Sequence, residues 1–301
     1  MQGNFVLRKS CIMAIERTLQ KIERPVAEPG FLGAGHVARP VVGSNYKQSD
    51  PFIMLMDDMI DKKDHNPVGG PHPHAGFETV TLLLEGELGD DKHRMQSGDL
   101  QLMTAGSGVV HAEIIDKPGK MRILQLWLNL PQKDRQAQPR VQDLPLAHVP
   151  SKDENGVHIK LYSGSLAGLS SPVQNYVPLT IADISLDAGA STVLSLPANH
   201  NAFLYVLNGT VQVGPDRALL QQDQTGWLSK SDEDVPSELA LTADEGARFV
   251  LYAAKPLGER IVSHGPFIAD SQDDIPRLYR EYRQGKMQHI TTVPEEQQLK
   301  W

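Results

Sequence analysis

His72 and His74 stand two residues apart in PHPHAGFETVTLLLEGEL, residues 71–88, and His111 and Glu113 stand two apart in GSGVVHAE, residues 106–113. In an extended strand, residues of equal parity share a face, so each pair points one way. Gly76 and Glu78 follow the first pair if that strand stays regular. Laid side by side, the two segments collect three imidazoles and one or two carboxylates in one barrel interior. Such an interior is ordinarily hydrocarbon, and ionisable groups facing into it carry a heavy desolvation cost unless something compensates. A divalent cation compensates. Neutral imidazoles with a carboxylate suit Fe, Mn, Co, Ni, Cu or Zn in the +2 state. Protein ligands that leave positions open on the ion make a site catalytic rather than structural. Either pair alone is more often surface polarity. The two together, each beside a strand-like run, favour metal.

The elements that position these residues read as all-β. Gly, Pro, Asn and Asp interrupt short apolar runs every ~8–12 residues, the pattern of a sandwich or barrel of short strands. The chain also repeats itself. Gly86 in LLLEGELGD matches Gly209 in YVLNGTVQVGPD, 123 residues on; Gly98 matches Gly226, 128 on; Arg122 in RILQLWLNLP matches Arg248 in RFVLYAAKP, 126 on. Three matches at nearly one offset argue for two copies of one β unit, joined near 142–156, where QDLPLAHVPSKDENG is rich in Pro, Asp and Lys. The expected division is a leader over 1–30, a metal-binding domain over 31–148 and a second domain over 149–301. In the second copy ANHNAFLYVLNG holds one histidine, His200, with no His-x-His and no His-x-Glu, so metal is expected only in the first. MAIERTLQKIER, residues 13–24, reads as a short amphipathic helix or a mobile leader. DDIPRLYREYRQG, 273–285, reads as a helix with acidic residues at its start and Gly285 at its stop. The polar tail after 288 is expected to be less ordered. Outside the two pairs, His36, His65, His93, His148, His158 and His289 are expected in solvated, loop-like settings, and His264 of HGPF is expected to hold the tail by hydrogen bonds.

Composition bounds the rest. Of 301 residues 40 % are hydrophobic and 22 % charged, enough for one or two packed cores. A net charge of −8 gives no whole-chain footprint for nucleic acid. The single cysteine, Cys11, leaves no intrachain disulfide and no thiolate cluster. With no long apolar run for a signal peptide or a membrane span, a cytoplasmic location is the expectation.

The run HPHAGFETVTLLLEGEL, then SGDLQLMTAGSGVVHAE, then LQLWLNLP, resembles the pirin family, a branch of the two-domain cupins; DPFIMLMDDM, 50–59, and HGPF, 264–267, resemble further landmarks of that family, over roughly residues 35–285. The resemblance implies a bicupin: two double-stranded β-helix barrels in tandem with a few short helices. It places the metal ligands on His72, His74, His111 and Glu113, with iron as Fe(II) in the first domain and none in the second. Cupins more widely take their carboxylate a few residues after His-x-His, which would be Glu78. The pirin pattern selects Glu113 and leaves Glu78 to orient a ligand histidine. Some pirins resemble quercetinases, which open the central ring of a flavonol with O2 and release carbon monoxide. By that likeness the substrate's 3-hydroxyl binds the metal, Glu113 takes its proton, and strands such as 80–84, 100–103 and 123–128 supply apolar walls. The alternative implied by the family is an iron-binding, redox-responsive regulator acting through protein partners, as a transcription cofactor or a regulator of metabolic enzymes. A third reading is other cupin chemistry with another metal.

Overall fold

Runs of alternating apolar and polar residues make strands of most of the chain. In the computed structural model, which describes residues 14–43, 45–89 and 92–301, these gather mainly into sheets of eight and eleven strands. The smaller sheet takes chain from Glu28–Pro29 to Arg140–Leu144; the larger takes Ser151–Glu154 to Ala247–Ala254. The chain crosses between them through the short helical turn Leu146–His148. The all-β, two-copy expectation is met.

The repeat is visible in the strand order. Gly119–Asn129 lies between Phe52–Lys62 and Phe77–Glu85 in the first half, and Ala247–Ala254 lies between Leu179–Leu186 and Asn201–Val213 in the second. The matched arginines do matched work. Arg122 donates from Nε and Nη2 to both oxygens of Asp57 at 2.9 Å. Arg248 donates in the same way to Asp183 at 3.0 and 2.7 Å. Such bidentate pairs are the strong, geometrically specific kind.

The two halves share a core. Val80, Leu82, Leu124 and Leu126 of the first pack in one cluster with Phe203, Tyr205, Val250 and Tyr252 of the second. Asp57, fully buried, also accepts the Tyr205 hydroxyl at 2.6 Å across this interface. Arg39 bridges Asp57 at 3.2 Å to Asp223 at 2.9 Å. The strands between two cores are apolar on both faces, which is why TVTLLL lacks clean alternation.

Two expectations fail. Residues 13–24 form no helix: within the described part, Ile15–Glu16 pairs with Pro236–Ala243 and Leu19–Glu23 pairs with Thr225–Leu228, both in the second half. Residue 13 lies outside the described residues. Burial of Arg17 decides the outcome. It is 1 % exposed and donates to Ser237 Oγ at 2.8 Å and to the carbonyls of Pro197, His200 and Ser229. An i,i+4 pattern cannot compete with that many charge-assisted bonds. The tail after 288 is also ordered. Ile290 and Val293 are buried, and Gln298–Lys300 pairs in parallel with Arg140–Leu144. The expected C-terminal helix forms over Asp274–Arg283.

Candidate metal centre

His72–His74 and Val109–His111 pair antiparallel, with His72 opposite His111 and His74 opposite Val109. This register turns three imidazoles inward, with their coordinating nitrogens all within 4.8 Å of one another. Two devices bring the strands together. Gly106 has φ +48, and a Cβ there would meet the Ala137 carbonyl oxygen at 2.0 Å. Only glycine accommodates that bend, as its place in AGSG implies. Past the ligand strand, Val110 N–H donates to the Gln288 carbonyl at 2.9 Å, so the C-terminal tail braces His111.

Gly76 is the second device, and it breaks the parity expected from the sequence. Its φ is +87, and its Cα lies against the Ile268 carbonyl. The strand stops after His74 and restarts at Phe77. Residues 79, 81 and 83 therefore share the face of the histidines, and Glu78 turns to the other face. There Glu78 accepts the Thr104 hydroxyl at 2.7 Å, with Arg140 donating to the same hydroxyl at 3.2 Å. Among the described residues Glu78 makes no hydrogen bond to any of the three histidines.

Hydrogen bonding and burial prepare the imidazoles for coordination. His72 Nδ1–H donates to the Gly70 carbonyl at 2.9 Å, which leaves Nε2 with its lone pair. That Nε2 stands 2.9 Å from His111 Nε2. Burial, with His72 alongside, pushes His74 down to about 3, and burial with its two neighbours lowers His111 well below the usual imidazole range. His74 Nδ1 is buried with no hydrogen-bond partner among the described residues. His74 is wedged against Phe77 and Trp127, each ring 5.2 Å away. Three imidazoles whose coordinating nitrogens lie within 4.8 Å of one another fit a borderline transition-metal ion.

Glu113 is half-buried and lines the same cleft as His72 and His74, but its carboxylate is outside the three-imidazole group. Its Oε1 stands 3.5 Å from Thr81 Oγ1. Burial, then the neighbouring Asp58 charge, pushes it up to about 7.

The centre opens into a cleft of about 630 Å3, within the ~300–1,000 Å3 span of small-molecule sites. His72, His74 and Glu113 line it, together with Met54, Met56, Ile60, Ile123 and Trp127. Ile123 and Trp127 match the expected walls, whereas Val80, Leu82, Leu102, Leu124 and Leu126 face the other half. Sequence reasoning missed His36, Asp58 and Gln125 on this wall. Asp58 was legible, since it shares parity with Met54 and Met56 in DPFIMLMDDM. Nor are all the scattered histidines solvated. His36 and His93 are buried against Asp58 and Asp143, each at 2.8 Å. His264 does tie the late segment down, within 3.2 Å of the Tyr279 hydroxyl. In the second half the corresponding hairpin faces inward with Leu194, Leu196, Leu239 and Leu241, and that interior is hydrocarbon.

Family comparisons agree with both halves. Residues 35–128 match the pirin family and residues 181–288 the pirin C-terminal cupin domain. The chain is 34 % identical over 281 residues to rat pirin (Rattus norvegicus), covering 89 % of this chain and 92 % of that protein. It is 34 % identical over 278 residues to a Pseudomonas aeruginosa protein provisionally named quercetin 2,3-dioxygenase, covering 88 % of this chain and 96 % of that one. A solved quercetin 2,3-dioxygenase from Acinetobacter baumannii superposes with a TM-score of 0.79 at 28 % identity, covering 92 % of this chain and all of that one. With two matched domains in order and the histidine motifs inside the first, the chain belongs to the pirin family of two-domain cupins.

Proposed function

We propose that this protein is a metal-dependent dioxygenase of the quercetin 2,3-dioxygenase type, holding Fe(II) with His72, His74, His111 and Glu113. The observation that carries the reading is the cluster of three imidazoles, two of them lining an apolar cleft. The relatives named as quercetin 2,3-dioxygenases support the substrate class. Bound iron supplies Lewis acidity toward a chelating hydroxyl and a one-electron route to O2. The chain supplies the rest. His72, fixed by the Gly70 carbonyl, and His74, wedged by Phe77 and Trp127, hold their lone pairs in one orientation. Glu113, whose Oε1 stands 3.5 Å from Thr81 Oγ1, would complete the ligand set and would accept the proton of the substrate 3-hydroxyl. Ile123, Met54, Met56 and Trp127 press on a flat aromatic body and exclude water.

The test is anaerobic reconstitution with Fe(II), metal analysis, and oxygen uptake with quercetin. Iron-dependent uptake with carbon monoxide release is expected. His111→Ala should keep the fold by circular dichroism and weaken metal binding by at least about 100-fold, since even outer-sphere changes cost ~10–100-fold. Unchanged metal content in His111→Ala sinks the site. One tightly held metal without turnover sinks the dioxygenase and favours the regulatory reading.

A further inference from the structure

The cleft that His72 and His74 line holds a second carboxylate, outside the group of three imidazoles. Asp58 sits on Phe52–Lys62 and lines the cleft with Met54, Met56 and Ile60. Oδ1 accepts the Nε2–H of His36 at 2.8 Å. The tautomer is set by Leu32, whose N–H donates to His36 Nδ1 at 3.1 Å. Among the described residues Oδ2 meets no donor, and the side chain is 15 % exposed, toward the cleft. Its sequence neighbour Asp57 is the contrast: both oxygens are taken, by Arg39, Arg122 and Tyr205. Beside Asp58, Gln125 gives Oε1 to the Thr81 hydroxyl at 2.8 Å and keeps its amide hydrogens free of acceptors among the described residues. Unfilled polar valences in an otherwise apolar cleft are costly unless a bound molecule or water fills them.

We infer that Asp58, held in place by His36, is a specificity-determining residue that accepts a hydrogen bond from a phenolic hydroxyl on the ligand edge remote from the metal. The ligand class is a flat aromatic molecule with a chelating oxygen pair at one edge and a hydroxyl at another. This inference rests on the flavonol reading above.

The experiment measures equilibrium binding to the Fe(II)-loaded protein under strict anaerobiosis, so that nothing turns over, by the absorbance shift of the flavonol. Two probes are used. Quercetin carries hydroxyls remote from the chelating edge; 3-hydroxyflavone carries only the chelating one. The unaltered protein should favour quercetin by roughly tenfold or more, the value of a hydrogen bond to a charged acceptor. Asp58→Asn should cut that preference severalfold and leave the 3-hydroxyflavone affinity unchanged. His36→Gln, which unfastens the carboxylate, should narrow it in the same direction, and carries the test if Asp58→Asn fails to melt cooperatively. No preference in the unaltered protein, an unchanged ratio in both variants, or equal weakening of both probes overturns the anchor and leaves the proposed function standing. Failure of the unaltered protein to bind either probe overturns the proposed function and the anchor with it.

Discussion

Glu78 and Glu113 are two carboxyls on opposite sides of the first sheet, and both are pushed up to about 7 mainly by burial. Their surroundings differ. Glu113 faces the cleft. Glu78 lies between the halves, where Thr104 and Arg140 only partly offset its desolvation. Between its ordinary 4.5 and about 7, folded Glu78 keeps a proton that the unfolded chain has released. Stability therefore falls as pH rises through that window, by roughly 3 kcal/mol at ~1.4 kcal/mol per unit. Glu78→Gln should remove the share of the slope that belongs to Glu78 and leave the share of Glu113. Urea melts at pH 5 and pH 8 check it, and an equally steep loss in the variant would assign the pH dependence elsewhere. The meeting of His72, His74 and His111 was legible because two His-bearing segments of matching parity lie beside strand-like runs. The choice between carboxylates was not settled by parity, since one residue with positive φ between His74 and Phe77 reverses the face of everything after it.

At the scale of elements, that reversal depends on Gly76. A side chain there would take a conformation costing ~1–2 kcal/mol in any L-residue, and its Cβ would meet the Ile268 carbonyl oxygen at 2.0 Å. Gly76→Ala should destabilise the fold by at least about 2 kcal/mol in denaturant melts. It should also lower metal content, because the segment Phe267–Ala269 that closes over Ala75 and Gly76 would be pushed away. A variant as stable as the parent with full metal would mean that the strand break is not needed. Strands were the readable elements, and the helix Asp274–Arg283 was too, from its acidic start and its glycine stop. The segment 13–24 was misread because its decisive residue, Arg17, carries a charge into the interior and finds its acceptors some 180–220 positions away. No local pattern encodes such a partner. The ordered tail escaped for the same reason: Gln298–Lys300 is a strand only because Arg140–Leu144 offers an open edge.

At the scale of the molecule, the duplication is more than a resemblance of strings. Asp57 and Asp183 stand 126 apart, like Arg122 and Arg248, and each aspartate meets its arginine across the same strand pairing. The halves meet through those strands, so the core that holds the first sheet in shape is half built by the copy whose interior is hydrocarbon. Sequence repeats showed that two units exist; they could not show that the units exchange strands. The segment Ile15–Glu23 completes the sheet of the second half, and Gln298–Lys300 completes the sheet of the first. The chain is thus laced crosswise, like a shoe whose ends are each tied through the opposite row of eyelets. A single cut at the crossing between Leu144 and Ser151 would not yield two domains. Each fragment would still carry the strand that the other lacks. An engineered protease site in Pro145–Pro150 should give two bands on a denaturing gel and one peak by gel filtration. Two peaks would show the lacing to be slack. Held together, the pair would be a ready-made split protein, in which the return of the metal reports the meeting of its parts.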